Sequence, residues 1–213
     1  MREHLSILKS LVENFQATGS ICPSSSFLAS SLAKNISKPR TQSNTSADNG
    51  IKILEVGAGT GPVTKIILEE MAGTDRLTIC EINKDLLAVL KANLTDTANY
   101  QKHIERIEII EAPVQDLQQE NHFDVIVCSL PFLNFPLSLT EEIFQKFNAV
   151  AKPGCNISYF SYLGGKEFGS LINVERAKTK NFLEQQNYFK LIQKEIVWLN
   201  LLPAEVHFLE KTS

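Results

Sequence analysis

The chain has 213 residues, 43% of them apolar and 21% charged, with a formal net charge of −3. That is enough for one packed core, and it lacks the basic balance that phosphate neutralisation imposes on most nucleic-acid enzymes. No run approaches the roughly 18 consecutive apolar residues of a membrane-spanning helix, and "MREHLSILKS" lacks the basic-then-apolar layout of a secretory signal, so the expectation is a cytoplasmic protein that meets membranes only at their surface.

In chain order, residues 5–15 come first. Stepping about 100° per residue gathers Leu5, Ile7, Leu8, Leu11, Val12 and Phe15 within an arc of roughly 160°, which predicts an amphipathic helix with Arg2, Glu3, Lys9 and Glu13 opposite. Residues 1–47 carry a charge of +3 and the remainder −6, so the helix also suits an anionic membrane surface. Gly19 and Pro23 interrupt the pattern, and a serine cluster suited to capping opens a second short helix over 25–35. "SKPRTQSNTSADNG" is polar and turn-rich and reads as a linker. The expected division is therefore 1–49, helices and linker, and 50–213, a single α/β domain.

From Ile51 strands and helices alternate. The strand candidates are 51–56, 77–81, 107–110, 123–128, 155–161, 191–199 and 206–209, which predicts a seven-stranded, mostly parallel sheet covered by helices. The last two candidates are close enough to form an antiparallel hairpin. Cys22, Cys80, Cys128 and Cys155, like His4, His103, His122 and His207, are scattered without metal-ligand spacing. They predict reduced thiols and no metal site.

"ILEVGAGTGPVTKIIL" is a strand, a glycine-rich turn and a helix. Gly57 and Gly59 permit a sharp turn and close approach to a ligand, and Gly61 permits close packing. Glu81 ends the next strand candidate, 20 residues beyond Gly61, where a carboxylate would meet the two hydroxyls of a ribose. Glu55 at the head of the turn is a poor neighbour for a pyrophosphate and suits an ammonium better. The fourth strand candidate runs into "VCSLPFLNFP" at the carboxyl edge of the sheet, where an open parallel sheet binds its ligand.

The glycine turn, Glu81 and the loop after the fourth strand resemble class I S-adenosylmethionine-dependent methyltransferases. The resemblance implies a Rossmann-like fold and S-adenosylmethionine as cofactor, held by Glu55, Gly57, Ala58, Gly59, Thr60, Gly61, Glu81, Ile82, Val114, Gln115 and Ser129. Ser129, Leu130, Pro131 and Phe132 match the motif that surrounds the reacting methyl group. Within that superfamily "SLPFLNFP" resembles bacterial phospholipid N-methyltransferases, as do "GSICPSSSFLASSLA", "YFSYLGG" and "NLLPAEVHFLEK". The implied substrate is the amine of phosphatidylethanolamine or its methylated derivatives, positioned by Ser129 and Leu130, with Phe132 and Tyr162 as cation-facing walls. The related ribosomal RNA adenine dimethyltransferases carry asparagine or aspartate at the position of Ser129. "EAPVQDL" also departs from the usual Gly-Asp-Ala after the third strand, leaving Val114, Gln115 or Asp116 to meet the adenine. Two alternatives stand beside the lipid enzyme: a nucleic-acid adenine methyltransferase, and a cofactor-binding or membrane-associated module without turnover.

Overall fold

The computed structural model describes residues 25–39, 50–163, 170–200 and 202–212. The amphipathic segment 5–15, Cys22, most of the linker and the expected boundary at 49/50 lie outside the described residues.

Helix α1 (Ser26–Ala33) begins at Ser25, whose Oγ accepts a hydrogen bond from the Leu28 amide at 3.3 Å, the capping predicted from the serine cluster. Its Leu28, Ala29, Leu32 and Ala33 are buried. Strand β1 (Lys52–Val56), helix α2 (Pro62–Glu70), strand β2 (Arg76–Cys80), helices α3 (Lys84–Thr95) and α4 (Ala98–His103), and strand β3 (Ile107–Ile110) follow. Strand β4 (Phe123–Cys128), helix α5 (Leu137–Val150), strand β5 (Ala151–Tyr162), helix α6 (Ser170–Gln185), and strands β6 (Phe189–Val197) and β7 (Ala204–Lys211) complete the chain. Among the described residues the seven predicted strands are all present.

The strand order is β3-β2-β1-β4-β5-β7-β6. Pairs from β3 to β5 are parallel; β6 and β7 form the antiparallel hairpin that the short "NLLPAE" connection predicts, and β7 also runs antiparallel to β5. Strand β5 starts earlier than expected. Its pairing with β4 shifts register between Phe123 and Val125, where it passes Pro153, which has no amide to donate, and Gly154 at φ +77°. Apolar side chains of α1, α2 and α3 cover one face of the sheet, and those of α5 and α6 cover the other.

Helix α1 is more than an appended cap. Its Leu28 and Leu32, with Ile36 in the turn that follows, belong to the same apolar cluster as Ile53, Val127 and Phe208 of the sheet. Ser158 of β5 donates from Oγ to the Leu32 carbonyl at 2.7 Å, and the Ser31 hydroxyl and the Lys34 ammonium both reach Glu195 of β6. Strand order reverses between β1 and β4, so the ligand crevice of such a sheet opens beyond Val56 and Cys128.

Candidate active site

The turn after β1 needs glycine three times, for three reasons. Gly57, Gly59 and Gly61 all have positive φ (74°, 57° and 94°), a region that costs an L side chain energy. A Cβ at Gly57 would stand 2.7 Å from Leu130 Cδ2, and one at Gly61 would stand 2.5 Å from Leu90 Cδ1. Gly59 has nothing within 4 Å, so its backbone faces open space where a ligand can approach. Gly61 therefore admits α3 as its close neighbour. Asn93 Nδ2 donates to the Thr60 carbonyl at 2.9 Å and ties the turn to the same helix.

Glu81 follows β2 and is buried. Its Oε2 accepts from the Gly59 amide at 3.0 Å and its Oε1 from the Asn83 amide at 2.9 Å. The acid thus shapes the glycine turn directly, while each oxygen keeps a lone pair for a further donor. Burial raises the Glu81 carboxyl above its usual range, opposed by those backbone amides. Asn83, absent from the sequence expectation, also caps α3 by accepting from the amides of Asp85 and Leu86; an asparagine just before a helical run is the signal that reveals it.

Glu55 behaves differently from the charged residue that the sequence suggested. It is fully buried in β1, and neither carboxylate oxygen has a hydrogen-bond partner. Burial pushes it up to about 8, with Thr64 opposing and Glu81 adding to the rise, so the protein alone holds this carboxyl neutral at pH 7.

Among the described residues six further buried polar atoms lack partners: Gln115 Oε1 and Ser129 Oγ follow β3 and β4 at this edge, Thr64 Oγ1 lies beside Glu55, and His103 Nε2, Arg106 Nε and Gln119 Oε1 precede β3 or β4, away from the crevice. Gln115 belongs to a 3-10 turn, Val114–Asp116, just after β3, and Val114 itself is buried in the core. Asp116 is exposed. Unpartnered buried polar groups cost free energy and point to a ligand that completes them.

The loop after β4 sits at the strand-order reversal, where the Ser129 amide donates to the Val56 carbonyl at 2.9 Å. Leu130 lies over Gly57. Ala58 is buried, and Ile82 packs on the face covered by α5. Pro131 precedes a 3-10 turn, Phe132–Asn134.

Phe132 corrects the sequence reading. The ring is 0% exposed and packs edge-to-face on Phe135, Phe144 and Tyr159, with centroids 6.2, 5.2 and 5.6 Å away. A ring closed in this way has no free face for a cation, and it anchors the loop instead. Thr179 Oγ1 of α6 donates to the Phe135 carbonyl at 3.2 Å and adds a second anchor. Tyr162, at the end of β5, is half-buried beside Phe160. Cys80, Cys128 and Cys155 are buried free thiols, and burial pushes Cys80 and Cys128 up to about 12. They are packing residues.

The methyltransferase-domain family matches residues 53–154, the span from β1 to the start of β5 that holds the glycine turn, both acids and Ser129. An ornithine lipid N-methyltransferase from Singulisphaera acidiphila is 26% identical over 159 residues, covering 72% of this chain and 74% of that protein. Among solved structures, a 1,6-didemethyltoxoflavin N1-methyltransferase of Burkholderia thailandensis, with bound S-adenosylhomocysteine, superposes with TM-score 0.64 at 16% identity. It covers 100% of this chain and 90% of that one.

A Pyrococcus horikoshii protein described as an RNA methyltransferase gives TM-score 0.56 at 15% identity, covering 87% and 83%. These structures share the class I methyltransferase fold. The cofactor that the domain's residues fit is S-adenosylmethionine: an open glycine turn, a carboxylate beside it and unpartnered buried acceptors in Glu55 and Gln115 match a ligand rich in ammonium, hydroxyl and amino donors.

Proposed function

We propose that the chain N-methylates a primary amine on a membrane-lipid headgroup, with phosphatidylethanolamine as the first candidate. The observation that carries this reading is Ser129, a buried hydroxyl without a partner at the strand-order reversal, in a loop where the RNA adenine enzymes it resembles have an amide or acid. The similarity to an ornithine lipid N-methyltransferase supports an aminolipid.

In this reading Glu81 receives the ribose hydroxyls, Gln115 the adenine amino group and Glu55 the ammonium of the cofactor. A cation beside Glu55 favours its ionised form. Bound S-adenosylmethionine supplies a methyl group already activated by the sulfonium charge. The protein then has to hold a neutral amine in line with that carbon, at about 3–3.5 Å. Ser129 Oγ and the Leu130 carbonyl orient the nitrogen through its protons, and Tyr162 flanks it. A headgroup amine with a lysine-like pKa near 10.4 costs about 4–5 kcal/mol to deprotonate at pH 7, tolerable without a dedicated base, with the proton passing to water.

Incubation with labelled cofactor and, separately, phosphatidylethanolamine vesicles, ornithine lipid vesicles and stripped ribosomal RNA tests the reading. Label in a lipid amine and none in RNA is expected, and Ser129→Ala should lower kcat more than cofactor affinity. Methylated adenine with untouched lipid would reverse the ranking. Cofactor binding with no methylated product in any arm would favour a module without turnover.

A further inference from the structure

The C-terminal edge of the sheet carries more than the cofactor cradle. Strand β7 starts at Ala204, opposite Tyr162 of β5 and Val197 of β6, and the Leu163 amide donates to the Pro203 carbonyl at 2.7 Å. The tip joining β6 to β7 therefore stands on the same edge as Ser129, two to three strand spacings along it, or about 10–14 Å. Trp198 is 69% exposed, Leu199 68% and Leu202 50%. Phe27 of α1, 54% exposed, belongs with them, because the Ser25 amide two residues earlier donates to Asn200 Oδ1 at 3.2 Å.

The one polar side chain described within the tip is tied to the protein: Asn200 accepts from the Ser25 amide and donates from Nδ2 to the Leu202 carbonyl at 3.0 Å. Its amide is satisfied by the protein itself, so the tip presents apolar groups to the outside and can leave water without stranding that amide.

We propose that Trp198, Leu199 and Leu202, with Phe27 beside them, seat the enzyme on a lipid bilayer and bring the C-terminal edge of the sheet to the headgroups. This rests on the reading of the substrate as a membrane lipid. A two-chain lipid does not leave its bilayer cheaply, since each buried CH₂ contributes about 0.8 kcal/mol. The crevice must therefore come to the lipid. No helix among the described residues is long and apolar enough to cross a membrane; exposed apolar side chains at this edge are placed to make that contact. Indole prefers the boundary between headgroups and acyl chains. The other exposed apolar residues of this region, Leu191, Ile192 and Ile196, are interspersed with Lys190, Gln193, Lys194 and Glu195 along edge strand β6, which blunts that edge as a docking face.

Trp198 is the sole tryptophan, so it reports its own environment. The full chain is mixed with phosphatidylethanolamine–phosphatidylglycerol vesicles, with and without bromine on the acyl chains. The expected result is a blue-shifted emission that brominated chains quench. Trp198→Ser with Leu199→Ser should weaken vesicle sedimentation roughly tenfold to a hundredfold. The double variant should keep the parent's turnover on a short-chain phosphatidylethanolamine dissolved below its micelle concentration. Emission unmoved by vesicles, or unchanged sedimentation of the double variant, overturns the proposal, as does a concentration-dependent dimer in vesicle-free buffer that the variant loses. If lipid is methylated while Trp198 stays unquenched, the docking surface fails and the substrate reading stands. If Trp198 is quenched while no lipid is methylated, the docking surface stands and the substrate reading fails.

Discussion

Glu55 shows what burial does to one carboxyl. Raised to about 8 by desolvation, it keeps a proton in the folded chain that the unfolded chain releases near 4.5. The folded state therefore holds more protons between these values, and the contribution of Glu55 to stability is greatest below pH 4.5 and falls as pH rises towards 8. The integrated loss is on the order of a few kcal/mol. Glu55→Gln, which imitates the protonated form, should flatten the decline in urea-unfolding free energy between pH 5 and 8 and leave the chain more stable than its parent at pH 8. An unchanged slope would show that another group carries it. The place of Glu55 at the head of the glycine turn is legible in "EVGAGTG". Its neutrality was not, because the packing that removes water comes from elements distant in sequence.

Among the elements, α1 belongs by sequence to an N-terminal segment set off by a linker, and its contacts place it inside the core. Its serine cap is local chemistry, visible in the sequence. Its partners are not: the Ser158–Leu32 hydrogen bond spans 126 residues. If α1 is a core element, Leu32→Ala should lower the unfolding free energy by about 2–5 kcal/mol. Phe27→Ala, on the exposed side of the same helix, should stay within about 0.5 kcal/mol. Equal, small effects in denaturant titrations would return α1 to the status of an appended cap. The loop after β4 teaches the same lesson. Its proline turn was expected, but Phe132 is closed in by Phe144 of α5 and Tyr159 of β5, neither of which a local reading brings near it.

For the whole molecule, the two apolar faces share one sheet, so a ligand gripped at its C-terminal edge should stabilise all of it. S-adenosylhomocysteine at about 100 times its Kd should add about 2.7 kcal/mol, raising Tm by roughly 5–11 °C for a domain of this size. Glu81→Ala, which also frees the Gly59 amide, should weaken calorimetric affinity by about 1.5–3 kcal/mol and shrink that rise at equal ligand. A ligand that leaves Tm unmoved would place the glycine turn outside a working site. Legible in the sequence alone are the seven strands, a mostly parallel sheet, the terminal hairpin and the glycine turn with Glu81 one strand away. These follow from periodicity and turn chemistry, which act over a few residues. It took the packed fold to show that Leu130 overlies Gly57, that Gly61 yields to Leu90, that Phe132 is packing and that Trp198 stands at the C-terminal edge of the sheet. Each depends on which distant segments meet and on how much water their meeting excludes.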